Sequence, residues 1–193
     1  RDVLGSRGLG DVYKRQCGVC ASLMALRNST TRVFNTRQWT HRCLGMGARA
    51  AEGTDMAVVA RYMKEKYGLD YAITTDMDRL VAHLKQGYKA IINVSGGGKM
   101  LFSNSGHYVL AAGIDKNGNL IILDPYWYDG KFTLTAARRK YTRVKNGREV
   151  YVRPADLKGD VLSLWLFTPK RDVRLAYSVN DLSLIHISEP TRP

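Results

Sequence analysis

The chain has 193 residues, 45% of them hydrophobic and 24% charged, enough apolar material for one domain with a buried core. No run approaches the roughly eighteen apolar residues of a membrane span, and an odd total of three cysteines argues against a complete disulfide framework. Lysine and arginine number 30 against 17 acidic residues, a net charge of +13; such an excess fits a solvated basic surface best, or else contact with an anionic partner, and no nucleic-acid motif accompanies it.

The first sixteen residues do not read as natural protein. SRGLGDVYKRQ, Ser6 to Gln16, back-translates into the reverse complement of a transposase adapter used in sequencing libraries. LSLIHISEPTR near the other end back-translates into the same adapter. Residues 1–16 and 182–193 are therefore expected to be translated library DNA, set aside like any fusion scar. One domain is expected over residues 17–181, with its native N-terminus and any signal peptide cut away.

Cys17 opens a predicted helix in which Val19, Leu23, Ala25 and Leu26 fall at roughly helical spacing, ended by NSTTR. GTDMAVVARYMKEKYGL predicts a second helix: Thr54 or Asp55 caps it, Met56, Val59 and Met63 form its stripe, and Gly68 stops it. DYAITT reads as a strand. TDMDRLVAHLKQGY reads as a capped helix with Met77, Leu80, Val81 and Leu84 facing inward and Gly87 at its end. KAIINVS is a strand rich in β-branched residues. GGGKMLFSNSG, Gly96 to Gly106, is a Gly/Ser loop without a phosphate-loop ending, and simple flexibility accounts for its glycines. Two apolar runs flank Asp115-Lys-Asn-Gly-Asn119, a hairpin signal. Residues 138–148 then concentrate Arg138, Arg139, Lys140, Arg143, Lys145 and Arg148, either a solvated basic edge or a contact for an anionic cell-wall or membrane surface. EVYVRP and VLSLWLFTP predict two further strands. Helices first and an antiparallel sheet after them make an α+β fold.

Three chemically capable residues stand at element ends. Cys17 starts a helix, where the positive end of the helix dipole favours a thiolate. His107 starts a strand, and an imidazole can pair with the thiolate and then protonate a leaving group. Asp124 closes the next strand, and a carboxylate on the second ring nitrogen would fix the imidazole. A hairpin turning around Asp115-Lys116 sets His107 and Asp124 nearly opposite; one turning at Asn117-Gly118 offsets them by about four positions, too far without a bulge.

In order, CGVCASLMAL, EGTDMAVVARYMKEKYGL, HLKQGYKAIINVSGGG and GHYVLAAGIDKNGNLIILDPY resemble the papain-like cysteine peptidases related to bacteriocin-processing peptidases, peptidase family C thirty-nine and its relatives. The likeness runs from Cys17 to about Tyr128. It implies a papain-like α+β fold with N-terminal helices packed on an antiparallel sheet, and a thiol peptidase with Cys17 as nucleophile, His107 as general base and Asp124 as orienting residue. Gly106, Tyr108, Tyr126 and Trp127 are the candidate substrate contacts, with Tyr126 and Trp127 equally suited to core packing. A peptide or protein substrate is implied, with no cofactor and no metal, and a secreted or envelope-associated bacterial protein is expected. Two departures stand out. Val19 occupies a position where many relatives carry proline, and the stretch that carries the family's oxyanion glutamine is adapter here. Gln16 is itself adapter-encoded and at the wrong offset, so an active native enzyme and an impaired present chain are expected; losing one such donor costs roughly 100- to 1000-fold in rate.

Other assignments of these residues exist. Cys17-x-x-Cys20 has redox spacing, but the thioredoxin order of elements is missing. Cys17, Cys20, His41 and Cys43 form a conceivable zinc set with an unusual second half. The same fold could serve acyl transfer or peptide binding without hydrolysis. His83 lies beside a helix stripe as an ordinary structural histidine.

Overall fold

The computed structural model describes residues 16–50 and 53–170; apart from Gln16, the two segments assigned to library DNA lie outside the described residues. The elements are α1 (Cys17–Ser29), α2 (Thr36–Gly45), β1 (Arg49–Ala50), β2 (Gly53–Thr54), α3 (Met56–Tyr67), β3 (Leu69–Thr74), α4 (Met77–Lys85), β4 (Lys89–Val94), β5 (His107–Ile114), β6 (Leu120–Leu123), α5 (Ala136–Tyr141), β7 (Thr142–Lys145), β8 (Glu149–Val152), α6 (Pro154–Leu157) and β9 (Val161–Pro169). Seven strands form one antiparallel sheet in the order β3-β9-β4-β5-β6-β8-β7.

Alternation along the central strands divides two cores. Ile91, Leu110, Trp165 and Phe167 point to α1, α2 and α3. Ala90, Ile92, Val109, Leu164 and Leu166 point to α4 and the loops around Leu101, Phe102 and Phe132. Both faces are therefore covered, which is why KAIINV reads as a continuous apolar run. The helix signals hold. Asp55 accepts from Ala57 and Val58 N–H, and Asp76 from Asp78 and Arg79 N–H. Gly68 ends α3 with φ of 66°, a conformation natural to glycine.

Helix α2 is an addition to the sequence reading. Asn35 and Gln38 exchange the two bonds of a capping box, and Trp39 and Cys43, four residues apart, are buried against α1, with Trp39 Nε1 donating to Ser22 Oγ at 2.9 Å. The glycine loop is another revision. Asp160, buried, accepts from the backbone N–H of Met100 and Leu101 at 3.1 and 2.9 Å, and its own carbonyl accepts from Ser95 N–H at 2.7 Å. A Cβ at Gly98 would collide with the Asp160 carboxylate and, at 2.6 Å, with the Gly159 carbonyl carbon. Gly98, and Gly96 against the Asn104 carbonyl, are there for close packing, whereas Gly106 has open space around it.

Part of the basic segment is internal bonding. Arg138 is buried and donates to the carbonyls of Met100 and Lys131. Arg139 donates to Thr133 O, and Arg143 to Arg139 O and Thr142 O. Arg139, Lys140, Arg143, Lys145 and Arg148 remain exposed, and only Arg138 is withdrawn from the surface. Strand β7 is a sheet edge, where lysine and arginine also discourage pairing with another chain.

The β5–β6 register takes a course between the two expected ones. Asp115 to Asn119 form a five-residue turn in which the Asp115 carboxylate accepts from Asn117 and Asn119 N–H. Ile114 faces Leu120, but a bulge between Ala111 and Gly113 shifts the register so that Leu110 faces Leu123. The next position sets Asp124 opposite Val109, two residues from His107 and on the same face. The ammonium of Lys89, buried in β4, donates to the carbonyl of Ala112 in this bulge at 2.8 Å.

Burial pulls Lys89 from the ordinary 10.5 down to about 8. A folded value below the unfolded one means that the unfolded chain holds more protons between those two pH values. The Lys89 contribution to stability therefore rises with pH across that window. Lys89→Met is expected to lack this rise, which is worth ~3 kcal/mol in all at about 1.4 kcal/mol per unit. Urea melts of both proteins across the window test it: curves that stay parallel would contradict the assignment.

Candidate active site

Cys17 enters from the first turn of α1. Gly18 follows because the helix start lies hard against β2: a Cβ there would stand 2.5 Å from Thr54 Cβ. The Thr54 hydroxyl at this contact is buried and has no hydrogen-bond partner among the described residues. Helix α1 packs over β5, and this brings the thiol to the start of that strand, where His107 stands. Both side chains are buried, Cys17 at 7% and His107 at 4% exposure.

His107 Nε2 donates to Asp124 Oδ1 at 2.7 Å. The Cys17 thiol acts on the same ring and helps to raise it; with Nε2 engaged by Asp124, Nδ1 is the nitrogen left for the thiol. Asp124 Oδ1 takes a second bond from Tyr126 N–H at 2.9 Å. The other oxygen, Oδ2, accepts from Lys131 Nζ at 2.5 Å, and Lys131 Nζ also donates to Tyr126 O at 2.9 Å. The result is a line of four side chains: thiol, imidazole, carboxylate and ammonium.

Electrostatics follow from that line. Burial opposes a charged His107, but the bond to Asp124 and then the nearby Cys17 thiol outweigh it and raise the imidazole above its ordinary value. Burial also opposes a charged Asp124. The His107 bond and charge, then the Lys131 cation, overcome it and hold the carboxyl below the usual range. Cys20, one turn along α1, has its thiol pushed up by burial and then by Cys17.

Of the residues singled out in the sequence, Cys17, His107 and Asp124 come together. Gly106 is exposed, with open space where a side chain would be. Tyr108 is half-buried; burial, then Cys17 and Asp55, push its phenol up. Tyr126 is tied by its backbone to Asp124 and Lys131. Trp127 packs on Phe132 at 5.6 Å between ring centres, as part of the second core. The zinc set does not assemble: His41 is exposed on α2, Cys43 is buried in the first core, and no group of three metal-capable side chains occurs among the described residues. None of Cys17, Cys20 and Cys43 is in a disulfide. No helix among the described residues is long and apolar enough to cross a membrane.

Lys131 was not singled out. It lies in DGKFT among other polar loop residues, and lysine in such a setting normally faces water. Only a buried carboxylate at the other end of the contact explains it, and that carboxylate is seven residues away around a turn.

A family model described as Peptidase_C39 like family matches residues 11–150. Among solved structures, the chain is similar to the peptidase domain of Streptococcus ComA, described as a bi-functional ABC transporter involved in a quorum-sensing pathway. That likeness has a TM-score of 0.50 at 18% identity over 81% of this chain and 93% of that one. The same domain from Streptococcus mutans, in complex with a small-molecule inhibitor, gives a TM-score of 0.46 at 15% identity, with 81% and 93% covered. No curated protein matches. The fold is thus that of a papain-like peptidase domain.

Proposed function

The chain belongs to the Peptidase_C39 like family, and from that premise we propose that it cleaves peptide bonds with Cys17 as nucleophile, His107 as proton carrier and Asp124 as the group that orients His107. The observation that carries this is the His107–Asp124 bond at 2.7 Å, with the buried Cys17 thiol at the start of α1 close enough to the imidazole to raise it.

The Cys17 thiolate attacks the carbonyl carbon of the scissile bond, and the C=O electron pair moves onto oxygen. Backbone N–H groups of the first turn of α1 have no intrahelical acceptor and carry the local positive field, so they suit that oxyanion. The intermediate collapses, the C–N bond breaks, and the His107 imidazolium gives its proton to the leaving nitrogen. A thioester remains on Cys17. Neutral His107 then takes a proton from water, the hydroxyl attacks the thioester carbon, and the C–S bond breaks to release the acid. The thiolate and imidazolium are restored. Gly106, Tyr108 and Tyr126 border the reacting groups and are the proposed substrate contacts.

The test is to mix the protein with a peptide library, quench in acid and map adducts by mass spectrometry. An acyl group on Cys17, lost with time to water and absent in Cys17→Ser, is expected. An adduct released to added amine but not to water would replace hydrolysis with acyl transfer; no adduct and no turnover would sink the proposal.

A further inference from the structure

We propose that Lys131 is a positioning member of the site: its ammonium pins the second oxygen of Asp124, so that the first stays aimed at His107 Nε2. This rests on the triad proposed above.

Geometry comes first. A carboxylate can rotate about its last bond and exchange its two oxygens. Asp124 Oδ1 already has two donors, His107 Nε2 and Tyr126 N–H. Lys131 Nζ takes Oδ2 and is itself anchored by Tyr126 O. Tyr126 thus holds both partners through its backbone, the N–H on one and the carbonyl on the other. Rotation of the carboxylate would break three bonds together.

The placement of Lys131 is costly unless it has a purpose. Its side chain is 2% exposed, and fully buried lysines are rare without a paired charge. The ring faces of Tyr126, Tyr128 and Phe132 lie 5.1, 5.8 and 5.7 Å from Nζ, and cation–π attraction repays part of the lost hydration. Arg138 Nη1 donates to the Lys131 carbonyl and fixes the backbone beneath it.

Charge is the second argument. With Cys17 as thiolate and His107 as imidazolium, Asp124 alone would leave the buried cluster with one net negative charge. Lys131 brings the four groups to neutrality. The titratable groups facing the carboxylate–ammonium pair are His107, Cys17, Arg138, Tyr126 and Tyr128. Removing the Lys131 cation frees Asp124 to hold the His107 proton more tightly. The basic limb of the pH profile, where His107 gives up its proton, then moves to higher pH.

The experiment compares Lys131→Met, Lys131→Gln, Asp124→Asn, the Lys131→Met/Asp124→Asn double variant and His107→Ala. Readouts are site-resolved alkylation of Cys17 by iodoacetamide across pH, and kcat and KM on a cleaved peptide. Lys131→Met is expected to lower kcat about ten- to a hundred-fold with KM unchanged, the usual scale for groups that orient reacting residues, and to move the basic limb upward. Lys131→Gln, which keeps a donor for Asp124, recovers part of kcat but not the pH shift. In the Asp124→Asn background the Lys131 change costs little more, because both act through one carboxylate. An unmoved pH profile, or a Lys131→Met loss that is equally large in that background, overturns the proposal and leaves Lys131 a core residue. If Lys131→Met fails to fold, Lys131→Gln carries the same pH comparison. If His107→Ala leaves the pH dependence of Cys17 alkylation as it was, the triad falls and this proposal with it. If His107→Ala changes that dependence and the Lys131 variants do not, the proposal alone falls.

Discussion

His107→Ala is expected to lower peptide-bond hydrolysis by at least about a thousand-fold while leaving the protein folded. Triad members act as a unit, and removing the proton carrier alone forfeits most of what the whole set supplies. The fold survives because Asp124 is not stranded: its carboxylate keeps Lys131 Nζ at 2.5 Å and Tyr126 N–H at 2.9 Å. Asp124→Ala behaves differently. It strands a buried lysine cation, and breaking a buried pair in this way costs about 3–5 kcal/mol. Kinetics and thermal melts on the two variants separate the roles: a strong kinetic loss with a small shift in Tm for His107→Ala, and both losses for Asp124→Ala. Near-normal turnover by His107→Ala would contradict the mechanism.

The same pair sets a pH window for stability. His107 is raised in the fold, so its contribution is full below its unfolded value and lost as pH rises through the folded one. Asp124 is lowered, so its contribution is present above its unfolded value and lost as pH falls through the folded one. The two overlap from mildly acidic to near-neutral pH.

Asp160→Ala is expected to destabilise the protein by roughly 2–4 kcal/mol, because it removes the acceptor of two loop N–H groups at once. For a chain of this size that is a fall in Tm of about 5–15 °C. The effect should also reach the site, since the loop that Asp160 holds at Met100 and Leu101 runs on to Gly106 and delivers His107. Gly98→Ala should act in the same direction, because its Cβ meets the Gly159 backbone as well as the Asp160 carboxylate and neither can move aside cheaply. Thermal melts together with the rate of Cys17 alkylation check both. An unchanged Tm in Asp160→Ala would show that the loop holds itself. A large fall in Tm with unaltered Cys17 reactivity in the folded protein would detach the loop from the site.

Much of the site could be read from residues at element ends. Cys17 at a helix start, His107 at a strand start and Asp124 after an apolar run each carry a local signal. Helix α2 is also legible in the Asn35–Gln38 box and the Trp39–Cys43 spacing, although His41 and Cys43 in the same stretch equally suggest metal ligands. The order of the glycines predicted a loop but not its packing, because the group that fills the space against Gly98 comes from Asp160, far along the chain.

Helix caps and stops, the strands whose apolar runs are buried on both faces, and the three residue types able to act together are all written locally along the chain. These follow from spacing and from the few conformations a short segment can adopt. Everything else comes from tertiary packing. The bulge between Ala111 and Gly113, with the Lys89 ammonium on the Ala112 carbonyl, sets how far Asp124 lies from His107. The packing of α1 over β5 brings Cys17 to the imidazole, and the turn from Asp124 to Lys131 buries a lysine against the carboxylate. Register, burial and charge pairing are set by contacts between segments distant in sequence or folded back on themselves, and a linear pattern does not carry them.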